Sequence, residues 1–293
     1  MRKQLVNTVE SVLKDDERTV LLLGDIGVFG FRHAFRSFPN RVYNIGILEQ
    51  ATVSLAAGLS LNGLIPIVHT IAPFLVERSL EQLKIGFCYQ KLGGNFISVG
   101  ASYDYAALGC THHCPADVGL LKNLPGMEIV VPGTSGEFDI LFKQAYSDGN
   151  PTYFRLSERE NPVSYDVEFG KANVIKKGKL ATVAAVGPLL KPVLEASKDL
   201  DVTVLYYTTI SPFDPKTLKD NCPSLKVLLC EPYYQGALSL EITKALAPAP
   251  VLLECLGVPH RFLTDYGQAH EHDEVIGFTP QSIRERIERL IYA

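Results

Sequence analysis

Short apolar runs alternate along this chain with longer segments in which apolar residues recur every three or four positions. Residues 18–24 read RTVLLLG, which is typical of a strand buried on both faces, and the run ends in a Gly-Asp turn. Similar runs predict eight further strands, at residues 41–45, 64–68, 95–99, 127–131, 180–186, 202–207, 225–230 and 251–255.

Helical patterns lie between these runs. Residues 49–62 are rich in Ala and Leu, and residues 74–89 carry apolar side chains at helical spacing. A last helix is predicted to begin after Thr279, a favourable N-cap, with Pro280 at its first position. Because strands and helices alternate, we expect parallel sheets with helices on both faces.

A polar, turn-rich stretch at residues 157–178 interrupts the alternation, which then starts again. We interpret this stretch as a linker. The sequence therefore predicts an α/β protein of two parallel-type sandwich domains, residues 1–168 and 169–293.

Composition excludes several classes of function. The chain has 293 residues, of which 46% are hydrophobic and 20% charged, with a net charge of −4, and this gives no indication of a nucleic-acid or membrane partner. Six scattered cysteines without a C-x-x-C pair are typical of free thiols, so we expect a cytoplasmic protein. The Cys110–Cys114 segment crowds its four potential ligands into five residues, so we predict no metal site in this chain.

Three polar positions are candidates for chemistry. Glu49 stands between a strand and an apolar helix, where it is either a half-buried carboxylate with a shifted pKa or a residue that interacts with the helix dipole. The adjacent His112 and His113 lie between a Gly and a Pro, in a loop that either reaches a cleft as a proton-transfer site or is a solvated turn. Asp25 follows the first strand, at the sheet edge where such folds bind ligands, or is an ordinary turn residue.

A second group of candidates is aromatic or basic. Phe74 and Arg78 open the helix after the third strand, and Phe74 is either a ring-stacking platform or a core residue. Arg155 and Arg159 either hold an anionic substrate group or form surface ion pairs.

The order of the motifs carries more information than any one of them. The segments NIGILEQ (44–50), AAGLS (56–60), GCTHH (109–113), LPGMEIVVP (124–132) and PTYFRLS (151–157) follow one another. This series resembles the pyrimidine-binding domain of transketolase and of deoxyxylulose-phosphate synthase. Residues 180–293 are similar to the C-terminal domain of the same group, through AAVGP, TISPFD and GVPHRF.

The resemblance implies that thiamine diphosphate is the cofactor. Glu49 would hydrogen-bond the aminopyrimidine ring and favour the imino tautomer, which removes the thiazolium C2 proton. Phe74 would pack on the pyrimidine ring, Ile71 stands where a second aromatic is common, and Asp25 and Arg78 would lie near the cofactor.

The resemblance also implies roles around the substrate. His112 matches the family's proton-shuttling histidine, and His113 is its neighbour in the motif. Arg155, Arg159 and Asp104 are candidate substrate contacts. Two family positions that contact a sugar or its phosphate carry Phe29 and Leu108 here, so we expect an unusual sugar, unphosphorylated or nucleotide-linked.

The family's diphosphate-binding half, a G-D-G segment with a downstream Asn that binds Mg²⁺, has no counterpart here. The resemblance therefore implies a large (alpha) partner subunit that mainly holds the diphosphate and Mg²⁺, an α2β2 assembly in which this chain self-associates, and two-carbon ketol transfer between a ketose and an aldose-type acceptor. The alternatives are the beta subunit of a 2-oxoacid dehydrogenase, a deoxyxylulose-phosphate-synthase-like enzyme, and a non-catalytic subunit.

Overall fold

The computed structural model describes residues 1–293, which form two mixed β-sheets with helices on both faces of each. The strands are β1 Thr19–Leu23, β2 Val42–Asn44, β3 Ile65–Ile71, β4 Gly94–Val99, β5 Glu128–Val130, β6 Pro151–Arg155, β7 Ala172–Lys176, β8 Ala181–Val186, β9 Val202–Tyr207, β10 Thr209–Ser211, β11 Lys226–Tyr234 and β12 Leu252–Val258.

The helices vary in length from one turn to almost four. They are α1 Arg2–Asp15, α2 Arg32–Ser37, α3 Glu49–Leu61, α4 Ala72–Val76, α5 Leu80–Gln82, α6 Asp117–Leu121, α7 Ser135–Ala145, α8 Leu190–Ala196, α9 Pro215–Asp220, α10 Ser239–Leu246, α11 Ala269–Ile276 and α12 Pro280–Tyr292. A π-helical segment, Leu83–Tyr89, extends α5, and 3₁₀ turns lie at Ala106–Leu108, Cys110–His112 and Gly187–Leu189.

The first sheet has seven strands in the order β10-β5-β6-β4-β3-β1-β2, and the second has five in the order β12-β11-β8-β9-β7. Every pairing is parallel except at one edge of each sheet, where β10 runs antiparallel to β5 and β7 antiparallel to β9. Strand β10 follows β9 in the chain but forms the edge of the first sheet. The C-terminal part of the chain therefore contributes one strand to the sheet of the N-terminal part.

Two apolar cores lie on opposite sides of the sheets. In β1, Leu21 and Leu23 face the core that contains α1, α7, α8 and α12, whereas Val20 and Leu22 face the core that contains α3 and α10. Successive side chains of a strand point to opposite faces, so a strand between two helical layers must be apolar at every position. Full burial of each such side chain contributes about 1.5–3 kcal/mol.

The predicted fold class is confirmed, since all nine predicted strands are present within a few residues of their expected bounds. Three further strands, β6, β7 and β10, were not predicted. Residues 172–176 lie in the stretch interpreted as a linker, and that interpretation is wrong for these residues. Their side chains are only partly buried at a sheet edge, so no apolar run marks them.

The helix expected at residues 74–89 is divided. Residues 72–76 form α4, the chain turns at residues 77–79, and α5 continues into the π-helical segment. The Ser79 hydroxyl donates to the Leu75 carbonyl over 2.5 Å, and such a bond from a serine side chain bends a helix. No helix of the chain combines the length and the hydrophobicity that a membrane span requires.

Candidate active site

The candidate residues follow the carboxyl ends of the parallel strands in the first sheet. Asp25 follows β1, Glu49 follows β2, Phe74 follows β3 and His112 follows β4. Parallel strands end on the same edge of a sheet, where doubly wound folds bind ligands. The topology thus collects residues that lie up to 87 positions apart in the chain.

Glu49 is the first residue of α3 and is 6% exposed. Its Oε2 accepts a hydrogen bond from Nη1 of Arg78 over 3.3 Å, whereas its Oε1 is buried and has no hydrogen-bonding partner. A buried acceptor without a donor is costly, on the order of 1–3 kcal/mol. A ligand donor at Oε1 would remove that cost.

A pocket of about 410 Å³ opens beside Glu49. Its lining residues are Ile47, Leu48, Glu49, Gln50, Ala51 and Arg78. Ile47 and Leu48 are largely exposed at its rim, although both are apolar. The chain therefore presents an acidic group in the wall of an open pocket whose rim is partly apolar.

Arg78 links Glu49 to the aromatic part of the site. Its guanidinium lies 3.8 Å from the centroid of the Phe74 ring, a cation–π contact. The ring of Phe74 meets the imidazole of His112 edge-on, with 5.3 Å between centroids. Glu49, Arg78, Phe74 and His112 thus form one continuous row.

His112 and His113 have different neighbours although they are adjacent in sequence. His112 is partly exposed and contacts Phe74 and, at 6.5 Å between centroids, Tyr105. His113 is buried, and its ring lies 5.8 Å from that of His272 in α11. Burial, and secondarily the proximity of His272, lowers the pKa of His113, so its imidazole is neutral at pH 7. A direct catalytic role for His113 is not supported by this position.

Arg155 is 1% exposed. Its Nε donates to Oδ2 of Asp117 over 2.7 Å, and its Nη2 donates to Oγ of Ser102 over 2.7 Å and to the Pro232 carbonyl over 3.2 Å. The predicted substrate contact of Arg155 is therefore not supported, because its donors are bound within the protein. Arg155 instead ties the loop that carries His112 to β11.

Asp104 and Arg159 are also bound to protein groups. The carboxylate of Asp104 accepts from Oγ of Ser157 over 3.0 Å and from the amide of Glu158 over 2.9 Å, with its side chain fully buried. Arg159 donates to Oδ1 of Asp273 over 2.5 Å and is 26% exposed. The predicted substrate contact of Asp104 is therefore not supported. Arg159 offers a substrate only the small part of its side chain that is exposed.

Asp25 and Ile71 stand at the margin of the site. Asp25 is exposed in a left-handed backbone conformation, φ +61°, and exchanges hydrogen bonds with Asn44. Ile71 is half-buried at the end of β3 and packs against the core of α1. The side chain of Asp25 bonds to Asn44 and not to Glu49, Arg78 or His112.

Arg2 lies beside the candidate site, although no sequence pattern predicts this. Its guanidinium donates to the Tyr105 hydroxyl, and with Lys3 and Arg32 it lines a pocket of about 560 Å³ that also reaches Phe29. A basic pair at the start of an amphipathic helix is common on protein surfaces, so the sequence alone carries no signal for this position.

Comparison with known proteins establishes the family. A family model described as the transketolase pyrimidine binding domain matches residues 1–163. The chain belongs to the transketolase family. It has the extent of a split transketolase small subunit, a thiamine-diphosphate-dependent transferase component that acts with a partner subunit.

Several relatives match most of the chain. An uncharacterized 33.6 kDa protein in the fasciation locus of Rhodococcoides fascians is 38% identical over 96% of this chain and 91% of its own length. An apulose-4-phosphate transketolase subunit of Phocaeicola vulgatus is 28% identical over 92% of this chain and 90% of its own length. A 6-deoxy-6-sulfo-D-fructose transketolase subunit of a Clostridium species is 27% identical over 74% and 71%.

Solved structures agree with these relatives. A split-gene transketolase described as an inactive β4 tetramer superposes with a TM-score of 0.86, at 25% identity, over 99% of this chain and 97% of that one. A transketolase from Campylobacter jejuni superposes with a TM-score of 0.79, at 18% identity, over 98% of this chain and 46% of that one, which shows the shared fold. The predicted resemblance is confirmed.

Proposed function

We propose that this chain activates thiamine diphosphate for the transfer of a two-carbon ketol unit from a ketose to an aldose-type acceptor. The observation that carries the proposal is the free, buried Oε1 of Glu49 at the base of an open pocket. When bound, the cofactor supplies an electron sink for the carbanion that ketol transfer requires.

The residues present fit the pyrimidine end of that cofactor. Oε1 of Glu49 is free to accept a hydrogen bond from a protonated ring nitrogen, while without cofactor the other carboxylate oxygen accepts a hydrogen bond from Arg78. Phe74 offers an aromatic ring for the pyrimidine, after displacement of the half-exposed Arg78 side chain from its face. Asp25 and Ile71 are proposed to border the cofactor.

His112 is proposed to exchange a proton with the substrate carbonyl oxygen. Its ring is partly exposed and lies beside Phe74, so it would face the reacting end of a cofactor stacked there. His113 is proposed to pack the loop rather than to transfer protons.

A large subunit is proposed to complete the site and to hold the diphosphate with Mg²⁺. The pocket beside Glu49 is open, and its rim exposes Ile47 and Leu48. Exposed apolar side chains around a polar centre are typical of an interface. The names of the relatives, which describe single subunits of transketolases, and the β4 tetramer of the split-gene transketolase support a large subunit together with self-association of this chain, which we propose to be α2β2.

The substrate is proposed to be a sugar with an anionic terminus. Arg2, Lys3 and Arg32 line the pocket next to Tyr105, and the relatives are named for sugars that carry a phosphate or a sulfonate. This proposal differs from the unphosphorylated or nucleotide-linked sugar expected from Phe29 and Leu108, and it is supported by Arg2, which lines the same pocket as Phe29.

Two further proposals concern the chain as a whole. A functional boundary near residues 168 and 169 is supported by the change from the first to the second sheet between β6 and β7. A cytoplasmic location is supported by the six free cysteines.

The experiment is Glu49→Gln in the complex with the large subunit, with Glu81→Gln as matched control, since Glu81 is exposed and has no ion-pair partner. We expect Glu49→Gln to lower kcat at least about 100-fold, because it removes the proton exchange of a carboxylate. Unchanged turnover in Glu49→Gln would refute the proposal. An assay with a 2-oxoacid plus a lipoyl acceptor would detect the activity of a 2-oxoacid dehydrogenase. An assay with pyruvate plus a triose phosphate would detect that of a deoxyxylulose-phosphate synthase.

A further inference from the structure

The loop that carries His112 is closed at its base by the two ends of residues 102–114. The amide of Cys114 donates to the Ser102 carbonyl over 2.7 Å, which forms an isolated antiparallel bridge. The Ser102 hydroxyl donates to the Pro232 carbonyl in β11, and the Tyr234 amide donates to the Pro115 carbonyl over 2.8 Å. We call residues 102–114 the histidine loop; its base is fixed to the second sheet.

A segment of the C-terminal part of the chain lies on the tip of this loop. We call residues 261–276, which comprise the connection after β12 and helix α11, the strap. A Cβ placed on Gly109 would lie 2.6 Å from Cε1 and 2.9 Å from Cζ of Tyr266, so the tyrosine ring lies directly on the Gly109 backbone. Gly109 also has φ +72°, a conformation that other residues rarely adopt. The tip thus fits the strap only because a glycine stands there.

A hydrogen-bonded clasp joins the strap to the start of the histidine loop. Oδ1 of Asp273 accepts from the hydroxyl of Tyr103 over 2.5 Å and from Nη1 of Arg159 over 2.5 Å. The guanidinium of Arg159 lies 5.1 Å from the Tyr103 ring centroid, and Tyr103 is fully buried. Hydrogen bonds to a charged group in such a place are stronger than those between neutral groups.

The end of the histidine loop also touches the strap. His272 packs 5.1 Å from the ring of Tyr103 and 5.8 Å from that of His113. Both ring nitrogens of His113 and Nε2 of His272 are buried, and none of them has a partner at hydrogen-bonding geometry. The backbone of Ala106 lies near His113 and partly offsets the lowering of its pKa by burial. These two imidazoles join the end of the loop to the strap by packing.

We propose that the strap is a positioning element for the reaction, and that Asp273 and Tyr266 hold the histidine loop in the conformation that directs His112 toward the substrate. This rests on the proposed function of His112. Glu49 and Arg78 bond to each other, and none of the hydrogen bonds or ring contacts of the strap involves Glu49, Arg78 or Phe74, so we expect cofactor binding to depend on the strap less than the reaction rate does.

The physical reason lies in the construction of the loop. Between its fixed base and its tip, the loop has two one-turn 3₁₀ segments and few backbone hydrogen bonds of its own. Without the strap, His112 would sample several positions, and a displacement of about 1 Å at a reacting group can cost about 100-fold in rate. The C-terminal part of the chain thereby acts in catalysis without touching the substrate.

The test uses the complete complex with its large subunit. Asp273→Asn and Tyr103→Phe each weaken the clasp and keep the size of the side chain, and Glu274→Gln is the matched control, since Glu274 is exposed on the same helix. We expect both clasp variants to lower kcat about tenfold, the effect of losing one hydrogen bond to a charged group, with the Kd of thiamine diphosphate changed less than about twofold. Hydrogen exchange of peptides from residues 103–113 should become about tenfold faster, with exchange in β1 unchanged.

The outcomes separate this proposal from the proposed function. Unaltered exchange of the histidine loop and unaltered kcat in both variants would overturn the positioning role, even if Glu49→Gln remains inactive. Faster exchange of the loop without a loss of kcat would likewise overturn it, because the strap would then hold the loop without serving the reaction. A wild-type complex without ketol transfer would refute the proposed function, whatever the exchange data show.

Discussion

Replacing Arg155 by methionine is expected to lower the free energy of unfolding by about 3–5 kcal/mol. The variant keeps most of the apolar stem of the side chain and removes the guanidinium. Asp117, which is fully buried, would lose the 2.7 Å bond to Nε of Arg155 and keep that from the Tyr153 hydroxyl over 2.9 Å. A buried carboxylate without its countercharge is the source of the cost.

The magnitude can be compared with that of an exposed pair in the same chain. Lys143 and Asp139 lie 2.8 Å apart on α7, with the lysine side chain 47% exposed, and such a pair contributes at most about 1 kcal/mol. Lys143→Met is therefore the matched control. Unfolding of the wild type, Arg155→Met and Lys143→Met in urea gives the loss in the free energy of unfolding for each variant.

A double variant tests the reasoning behind the number. In Arg155→Met with Asp117→Leu the uncompensated charge is gone, so much of the lost stability should return. If Arg155→Met costs less than about 1 kcal/mol, the pair is not the buried, tightly coupled one that the distances indicate. If the double variant is no more stable than Arg155→Met, the cost comes from the Ser102 and Pro232 contacts and not from the charge.

Two further predictions concern stability. A Cβ at Gly178 would lie 2.3 Å from the backbone nitrogen of Val202, so Gly178→Ala should destabilise the fold by about 1–3 kcal/mol. Gly119 in α6 has open space around it, so Gly119→Ala should stabilise the fold by about 0.4–1 kcal/mol. Equal unfolding midpoints of the two variants in urea would contradict both expectations. Burial raises the pKa of Glu231 from 4.5 to about 7, so the folded chain binds a proton that the unfolded chain releases between these pH values. Glu231 should therefore contribute a fall of about 3 kcal/mol in stability as the pH rises through that range, and the fall in Glu231→Gln should be smaller than in the wild type by about that amount, with the contribution of Glu128, whose pKa burial also raises to about 7, retained; parallel pH profiles would show the assignment to be incorrect.

Local sequence determined the greater part of the fold. Strands such as β1 and β9 are buried at every position and apolar at all but one, a threonine, because both faces are covered, so a short apolar run identifies them without tertiary information. Helix α12 begins where the Thr279 N-cap and Pro280 indicate, since capping depends on a few adjacent residues. The order of motifs, which reflects the family, also singled out Glu49, Phe74 and His112 as candidates, and the structure brings these three into one row with Arg78.

Only the tertiary structure decided what depends on contacts between distant residues. The edge strand β7 has no apolar run because one side of it faces solvent, and β10 is three residues that are a strand only because β5 lies beside them. Arg155 reads as a surface or substrate-binding arginine until the fold places Asp117 against it in the interior. The strap lies about 160 residues from the histidine loop in the chain, and no local pattern can show that Asp273 meets Tyr103, because that meeting is set by the packing of the two sheets.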